Sequence, residues 1–251
     1  MTADMARKYE LETIPIWDAF DAHSECPLCI LDEAAEKRYV EFFLGNSVMV
    51  PEMRVEVNKT GFCPNHFKML WSAAQNRHPL SLVTHTHLLD VMKGAERLEK
   101  GLTSAAKGGS KSSERRVEKY IEYLRGRERS CMICDRMDYT LERYEFTIVY
   151  LWQHKEDFAE TFRASKGFCY HHLPRLLEMA DRQLGRAACA KFAGEVAALQ
   201  REHLERLERE LLWYTQKFDY QNNDKPWGTS KDALHRALQK ITGCIFHDRS
   251  G

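Results

Sequence analysis

Cysteine spacing is the feature that most constrains this chain of 251 residues, because six of its eight cysteines fall into two similar sets. The first set joins Cys26-Pro-Leu-Cys29 to Gly61-Phe62-Cys63-Pro64-Asn65-His66. The second set joins Cys131-Met-Ile-Cys134 to Gly167-Phe168-Cys169-Tyr170-His171-His172. The gap between the Cys-x-x-Cys pair and the next cysteine is 34 positions in the first set and 35 in the second. This agreement predicts an internal duplication with a period of about 105 residues.

The duplication predicts two modules that follow one another along the chain. We expect a first metal-binding module over residues 1–103, a linker over 104–113 and a second module over 114–219. Residues 220–251 would form a C-terminal loop and helix. The linker is rich in glycine and serine, which is typical of flexible connections, and Ser113 before Glu114 can cap the next helix.

Apolar residues recur every three or four positions through most of the chain, which indicates amphipathic helices. The pattern predicts an all-α fold with helices at about 29–43, 80–98, 132–152, 186–218 and 230–242, the last ended by Gly243. One stretch alternates instead, at Met53, Val55 and Val57. Because Pro51 precedes it, we expect a loop or a short edge strand there.

Each set supplies three cysteines and one histidine, which together make a ligand set for one tetrahedral zinc ion. The hypothesis is therefore one ion per set, or about two zinc ions per chain. A Cys/His iron–sulfur cluster is the alternative cofactor. His171 leaves the identity of the second histidine ligand open, although the register with His66 favours His172. The proposed ligands are Cys26, Cys29, Cys63 and His66 for one ion and Cys131, Cys134, Cys169 and His172 for the other.

Four protein ligands close the coordination sphere, whereas a catalytic zinc keeps an open position. The leading interpretation is therefore a non-enzymatic scaffold or regulatory interaction protein, with no catalytic residue assigned. A redox or iron–sulfur protein is the alternative, since a Cys-x-x-Cys pair at a helix start can have a lowered thiol pKa. An enzyme with a pocket between the modules comes third, with His85, His87 and Asp90 as its first suspects.

Charge and hydropathy argue against two kinds of partner, nucleic acids and membranes. The chain has 37 basic and 37 acidic residues, and this balance argues against nucleic acid as a partner. No apolar run approaches the roughly 20 residues of a membrane helix, and the N-terminus has no secretory signal. We therefore expect a cytoplasmic protein with an unidentified protein partner and no membrane contact. A stripe from Leu204 to Phe218 fits a core-facing helix, which is the commoner case, and also the seam of a homodimer.

Several motifs of the chain resemble those of a family of uncharacterised bacterial proteins, classed as a domain of unknown function. Besides Cys26-Pro-Leu-Cys29, they include Ile14-Pro-Ile-Trp-Asp-Ala-Phe20, Gly61-Phe-Cys-Pro-Asn-His-Phe67, Lys217-Phe-Asp-Tyr220 and Pro226-Trp-Gly228. The resemblance covers nearly the whole chain and implies no activity. The second metal motif departs from the first, because Tyr170-His171-His172-Leu173 follows Cys169.

Overall fold

The computed structural model describes residues 13–105 and 111–246, and all regular structure in these ranges is helical. The predicted all-α fold is confirmed. Within the same ranges, no helix is long and apolar enough to cross a membrane. Short 3₁₀ turns occur at Asn46–Met49, Tyr220–Asn222 and Gly228–Ser230. The helices are α1 (13–21), α2 (Pro27–Leu44), α3 (Pro51–Thr60), α4 (Pro64–Ala73), α5 (His78–Ala105), α6 (Lys111–Arg129), α7 (Met132–His154), α8 (Glu156–Ala164), α9 (His172–Gln183), α10 (Arg186–Gln216) and α11 (Ala233–Thr242).

The chain divides into two compact units whose borders fall inside α2 and α7. Unit 1 contains Met1–Ala34 and Tyr139–Gly251, and unit 2 contains Ala35–Asp138. These borders differ from the ones expected from the repeat. Of the expected linker, residues 104–105 end α5 and 111–113 begin α6, while 106–110 lie outside the described residues. Each unit thus contains the Cys-x-x-Cys pair of one repeat and the Cys-x-x-His pair of the other.

Unit 1 has an aromatic core. Its ring centroids lie 5.0 to 6.4 Å apart, mostly in edge-on or tilted arrangements, which suit aromatic quadrupoles. Phe168 is fully buried in this core and directly precedes Cys169. Burial of this side chain therefore fixes the position of the loop that carries Cys169. The rings are Phe20, Phe158, Phe162, Phe168 and Phe192.

Unit 2 repeats this arrangement with Phe62, which precedes Cys63. The ring of Phe62 lies 5.1 Å from that of Phe43 and 5.4 Å from that of Phe67. The preceding Gly61 has a φ of 68°, and a Cβ there would lie 2.5 Å from the imidazole of His87. The Gly-Phe dipeptide therefore turns the chain and anchors it before the metal motif.

Helix α3 replaces the predicted loop or edge strand. Pro51 occupies its first turn, where the missing N–H of proline removes no helical hydrogen bond. Val57 is fully buried, whereas Val55 is 56% exposed. The alternation of Met53, Val55 and Val57 was misleading because one of its three apolar residues faces solvent.

The end of α11 confirms the predicted C-cap. Gly243 adopts a φ of 78°, and its N–H donates to the carbonyl of Gln239 at 2.9 Å. A Cβ at Gly243 would lie 2.8 Å from Cβ of His171 and 3.3 Å from Sγ of Cys169. The left-handed conformation thus brings the end of α11 against the second metal motif of the sequence.

Candidate metal centres

All eight predicted ligands lie in two clusters, but the expected grouping is wrong. Each cluster combines the Cys-x-x-Cys pair of one repeat with the Cys-x-x-His pair of the other. The donor atoms within a cluster all lie within 4.8 Å of one another. The first cluster is Cys26, Cys29, Cys169 and His172, and the second cluster is Cys63, His66, Cys131 and Cys134.

Both clusters are built at helix N-termini. In the first cluster Cys26 precedes α2, Cys29 lies in its first turn, and His172 begins α9. The second cluster uses the starts of α7 and α4 in the same way. The unpaired N–H groups of a first turn carry a partial positive charge, which stabilises thiolates. Each cluster therefore places its cysteines where the backbone favours their metal-binding form.

In the first cluster, the distances fit one tetrahedral ion. Nδ1 of His172 lies 3.2 Å from Sγ of Cys169, 3.5 Å from Sγ of Cys29 and 3.7 Å from Sγ of Cys26. The sulfur atoms of Cys29 and Cys169 are 3.6 Å apart. Zinc bonds of about 2.3 Å to sulfur and about 2.0 Å to nitrogen give tetrahedral edges of about 3.5–3.8 Å. A disulfide, at about 2.05 Å, would be far shorter.

In the second cluster the histidine also lies close to all three sulfur atoms. Nδ1 of His66 lies 3.1 Å from Sγ of Cys131, 3.3 Å from Sγ of Cys63 and 3.4 Å from Sγ of Cys134. In both clusters Nδ1 is thus the nitrogen that faces the sulfur atoms. All four of these residues belong to unit 2, as the first cluster belongs to unit 1.

The structure selects His172 over His171 as the fourth donor of the first cluster. His172 is completely buried, whereas His171 is exposed and its ring lies beside that of His172, with centroids 4.9 Å apart. The register of the repeat favoured the same residue.

Two carboxylates of α2 lie behind the histidines, and the sequence analysis missed both. Oε1 of Glu36 is 3.1 Å from Nε2 of His66, within hydrogen-bond distance, whereas Oδ2 of Asp32 is 3.9 Å from Nε2 of His172, too far for a hydrogen bond. Metal-bound histidines commonly donate their second N–H to a carboxylate, which fixes the ring and its tautomer. Periodicity could have found these residues, because positions 29, 32 and 36 share one helical face.

Cys131 and His66 shift each other's pKa. Burial opposes protonation of His66, but hydrogen bonds to Cys131 and Glu36 outweigh it and raise the histidine pKa to about 10. Burial also opposes ionisation of Cys131, yet His66 lowers the cysteine pKa to about 6. Near neutral pH the two side chains therefore form a thiolate–imidazolium pair. Zinc binding must release the imidazole proton, so affinity should rise with pH.

The clusters differ in burial. All four ligands of the first cluster are buried, but Cys63 and Cys134 of the second are partly exposed. The C-terminal part of the chain covers the first cluster, because the thiol of Cys29 donates to the carbonyl of Gly243 at 3.3 Å. The second cluster therefore gives solvent more direct access to its sulfur atoms.

A buried ion network holds this cover in place. Both carboxylate oxygens of Glu25 lie 2.7 Å from the guanidinium of Arg206, and Arg236 approaches one of them at 3.4 Å. The ammonium of Lys240, which is also buried, donates to the carbonyls of Glu25 and Lys166. Because Glu25 directly precedes Cys26, the network fixes α10 and α11 against the start of the first metal motif.

Of the residues suspected of catalysis, His87 and Asp90 meet at Arg127 and the carbonyl of Asn58, and His85 stands apart. His85 is exposed, Nδ1 of His87 lies 3.2 Å from the carbonyl of Asn58, and Asp90 pairs with Arg127. These contacts pack α5 against α3 and α6 within unit 2.

Comparison with known proteins gives a family but no described function. A family model described as "Family of unknown function (DUF6062)" matches residues 7–248. No curated protein and no solved structure matches the chain.

Paired substitutions should distinguish the observed grouping from the expected one. Cys29→Ser with Cys169→Ser should remove one ion per chain, because both residues belong to the first cluster. Cys29→Ser with Cys63→Ser should remove both ions, since it damages both clusters. Elemental analysis of the purified variants, with circular dichroism to confirm helix content, gives the count. The opposite result would restore the grouping expected from the sequence.

Glu36→Gln should weaken metal binding at the second cluster about 10- to 100-fold, because an amide orients the histidine less well than a carboxylate. Competition with a coloured chelator measures this as a loss of affinity for one ion per chain. Glu41→Gln is the matched control, since Glu41 is exposed on the same helix. Equal affinities for the two variants would assign Glu36 no part in metal binding.

Proposed function

The chain belongs to the family of unknown function DUF6062, and we propose that each of its two clusters holds one structural zinc ion. On this proposal the protein is a scaffold or regulatory interaction protein rather than a metalloenzyme. The single observation that carries the proposal is the pair of Cys₃His clusters, in each of which the four donor atoms lie within 4.8 Å of one another.

The donor chemistry supports zinc. Three thiolates and one imidazole are soft or borderline ligands, which suit zinc better than calcium or magnesium. They fill the four positions that a structural zinc uses and leave none for a substrate or a reactive water. The residues that would hold the ions are the eight cluster ligands, and Glu36 would orient His66.

The donor spacing favours one ion over an iron–sulfur cluster. Each iron of a cluster takes its own protein ligands, so the donors must spread around several metal atoms. Here all four donors lie within 4.8 Å of one another, which suits a single centre. Iron remains the alternative metal, and the experiment below distinguishes it.

The positions of the ligands support a stabilising role. Cys29 and Cys169 are 140 positions apart, and His66 and Cys134 are 68 positions apart. A structural zinc contributes on the order of 10 kcal/mol or more in small domains, which is comparable with the total stability of a domain. An ion at each cluster would therefore hold together helix starts that are distant along the chain.

A C-terminal loop, residues 217–225, is held by internal hydrogen bonds and supports an interaction role. The buried ammonium of Lys217 donates to the carbonyls of Asn222, Asn223 and Lys225 at 2.6 to 2.9 Å. This loop exposes 73% of Phe218 and 79% of Tyr220. Aromatic side chains on a preorganised surface lose little entropy on binding and often carry much of the binding energy. We therefore assign this loop to contact with a protein partner.

Elemental analysis with a visible spectrum tests the metal proposal on the full chain purified anaerobically without chelator. We expect about two zinc ions per chain, no visible colour, and loss of helix content when a chelator removes the metal. Cobalt(II) in place of zinc should give the visible bands of a tetrahedral thiolate site. Iron with a brown absorbance would favour the iron–sulfur alternative. Metal-free protein with eight titratable thiols would refute both.

A double substitution tests the interaction proposal. Phe218→Ala with Tyr220→Ala should abolish cross-links between the metal-loaded chain and its partner in extracts of its source cells. The variant should keep its metal and helix content, because both side chains are exposed. Leu212→Ala is the control, since it removes an apolar side chain that is 49% exposed elsewhere in unit 1. Unchanged cross-links in the double variant would remove this loop from the partner site.

A further inference from the structure

Helix α6 packs along α5 as an antiparallel hairpin, and this contact uses one face of α6. The hydroxyl of Tyr123 donates to the carbonyl of Val91 at 2.9 Å, and Arg116 donates to the carbonyl of Gly101 at 2.7 Å. Tyr120 reaches Glu99 at 2.8 Å. The residues at 116, 120 and 123 therefore face α5, and the next face of α6 is left outside the hairpin.

That outer face carries an apolar stripe. Val117, Ile121 and Leu124 are 46%, 41% and 46% exposed, and their spacing of four and three residues places them in one row. The stripe on α10 that suggested a homodimer is different, because its Leu207 is 3% exposed and its Tyr214 packs on Trp227. The apolar row on α6, unlike that stripe, is exposed at all three of its positions.

A row of charges runs beside the apolar stripe. Glu114 and Glu118 lie in the first half of α6, and Arg125 and Arg129 lie in the second half, all on one helical face. Among the described residues, none of these four side chains has an ion-pair partner. Glu118, Arg125 and Arg129 line a shallow groove of about 560 Å³ together with Ile121, Glu122 and Gly126.

The signs of these four charges are opposite at equal distances from the midpoint of the row. Glu118 and Arg125 are equally far from the midpoint of this row, between Ile121 and Glu122, and so are Glu114 and Arg129. A second α6 running antiparallel would place Glu114 and Glu118 each opposite a base and would bring the two copies of Glu122 near the axis, whereas a parallel one would place like charges opposite along the row. This pattern is that of a self-complementary two-fold interface.

We propose that this face of α6 binds the same face of α6 in a second copy of the chain, antiparallel about a two-fold axis near Ile121. Val117, Ile121 and Leu124 form the apolar seam. Glu114 pairs with Arg129 of the other copy and Glu118 pairs with its Arg125, which gives four ion pairs in the dimer. The proposal is independent of the identity of the bound metal.

Light scattering after size exclusion tests the dimer on the metal-loaded full chain across a range of concentrations. The wild type should have twice the chain mass of 29.3 kDa. Ile121→Asp should have the mass of one chain, because it replaces the central apolar side chain of the seam with a carboxylate in each copy. Val55→Asp is the control on another exposed position of unit 2, and it should stay dimeric. Metal content and circular dichroism should be unchanged in both variants.

Charge exchange tests the antiparallel register. Glu118→Arg and Arg125→Glu should each weaken the dimer at least tenfold, because each places like charges opposite one another. An equimolar mixture of the two single variants should form heterodimers with near wild-type affinity, since the altered positions become complementary between copies.

Three results would overturn the proposal. A monomeric wild type would mean that the face is bare or is covered by another protein. A dimer that survives Ile121→Asp would place the interface elsewhere. Single charge variants that the mixture does not rescue would exclude the antiparallel pairing.

Discussion

The close approach of thiols from distant parts of the chain is the constraint on which the structure around both clusters depends. Sγ of Cys29 and Sγ of Cys169 lie 3.6 Å apart, with Nδ1 of His172 within 3.5 Å of each. Ionised thiols would repel strongly at this distance inside a protein, so they require a shared cation or retained protons. Two features of the surrounding fold support this arrangement. Helix starts place their positive dipole ends at the clusters. Phe168 and Phe62 anchor the loops that bring Cys169 and Cys63 to their clusters.

The two clusters have the same donor types but different surroundings. In unit 1, Glu25 is buried between Arg206 and Arg236, and Lys240 is buried on backbone carbonyls. Buried charges cost several kcal/mol each unless paired, so such a network is retained only where every member has partners. It holds α10 and α11 over the first cluster and excludes water from it. In unit 2 the carboxylate of Glu36 contacts His66 directly at 3.1 Å, while Cys63 and Cys134 stay partly exposed.

Local features of this site could be read from the sequence, whereas the grouping could not. The helices, the ligand types and the choice of His172 follow from spacing and register over short distances. Asp32 and Glu36 were also accessible to that reasoning, since they share a helical face with Cys29. By contrast, both possible groupings give each ion three cysteines and one histidine. Which Cys-x-x-Cys pair meets which Cys-x-x-His pair depends on tertiary packing, about which local spacing carries no information. Helix α3 was mistaken for a loop or edge strand because Met53, Val55 and Val57 alternate with polar residues. Val55 faces solvent, so this alternation does not mark a buried strand face.

Because each cluster takes its ligands from both repeats, one repeat alone cannot complete either site. The first repeat contains Cys26 and Cys29 of one cluster and Cys63 and His66 of the other, so it holds half of each. An isolated repeat could complete tetrahedral sites only by donating its half-sets to a second repeat. Joining both repeats in one chain makes that association intramolecular, and its entropy cost grows only slowly with the length of the connection. The two clusters therefore link the two halves of the sequence, and an ion bound at each would stabilise that link.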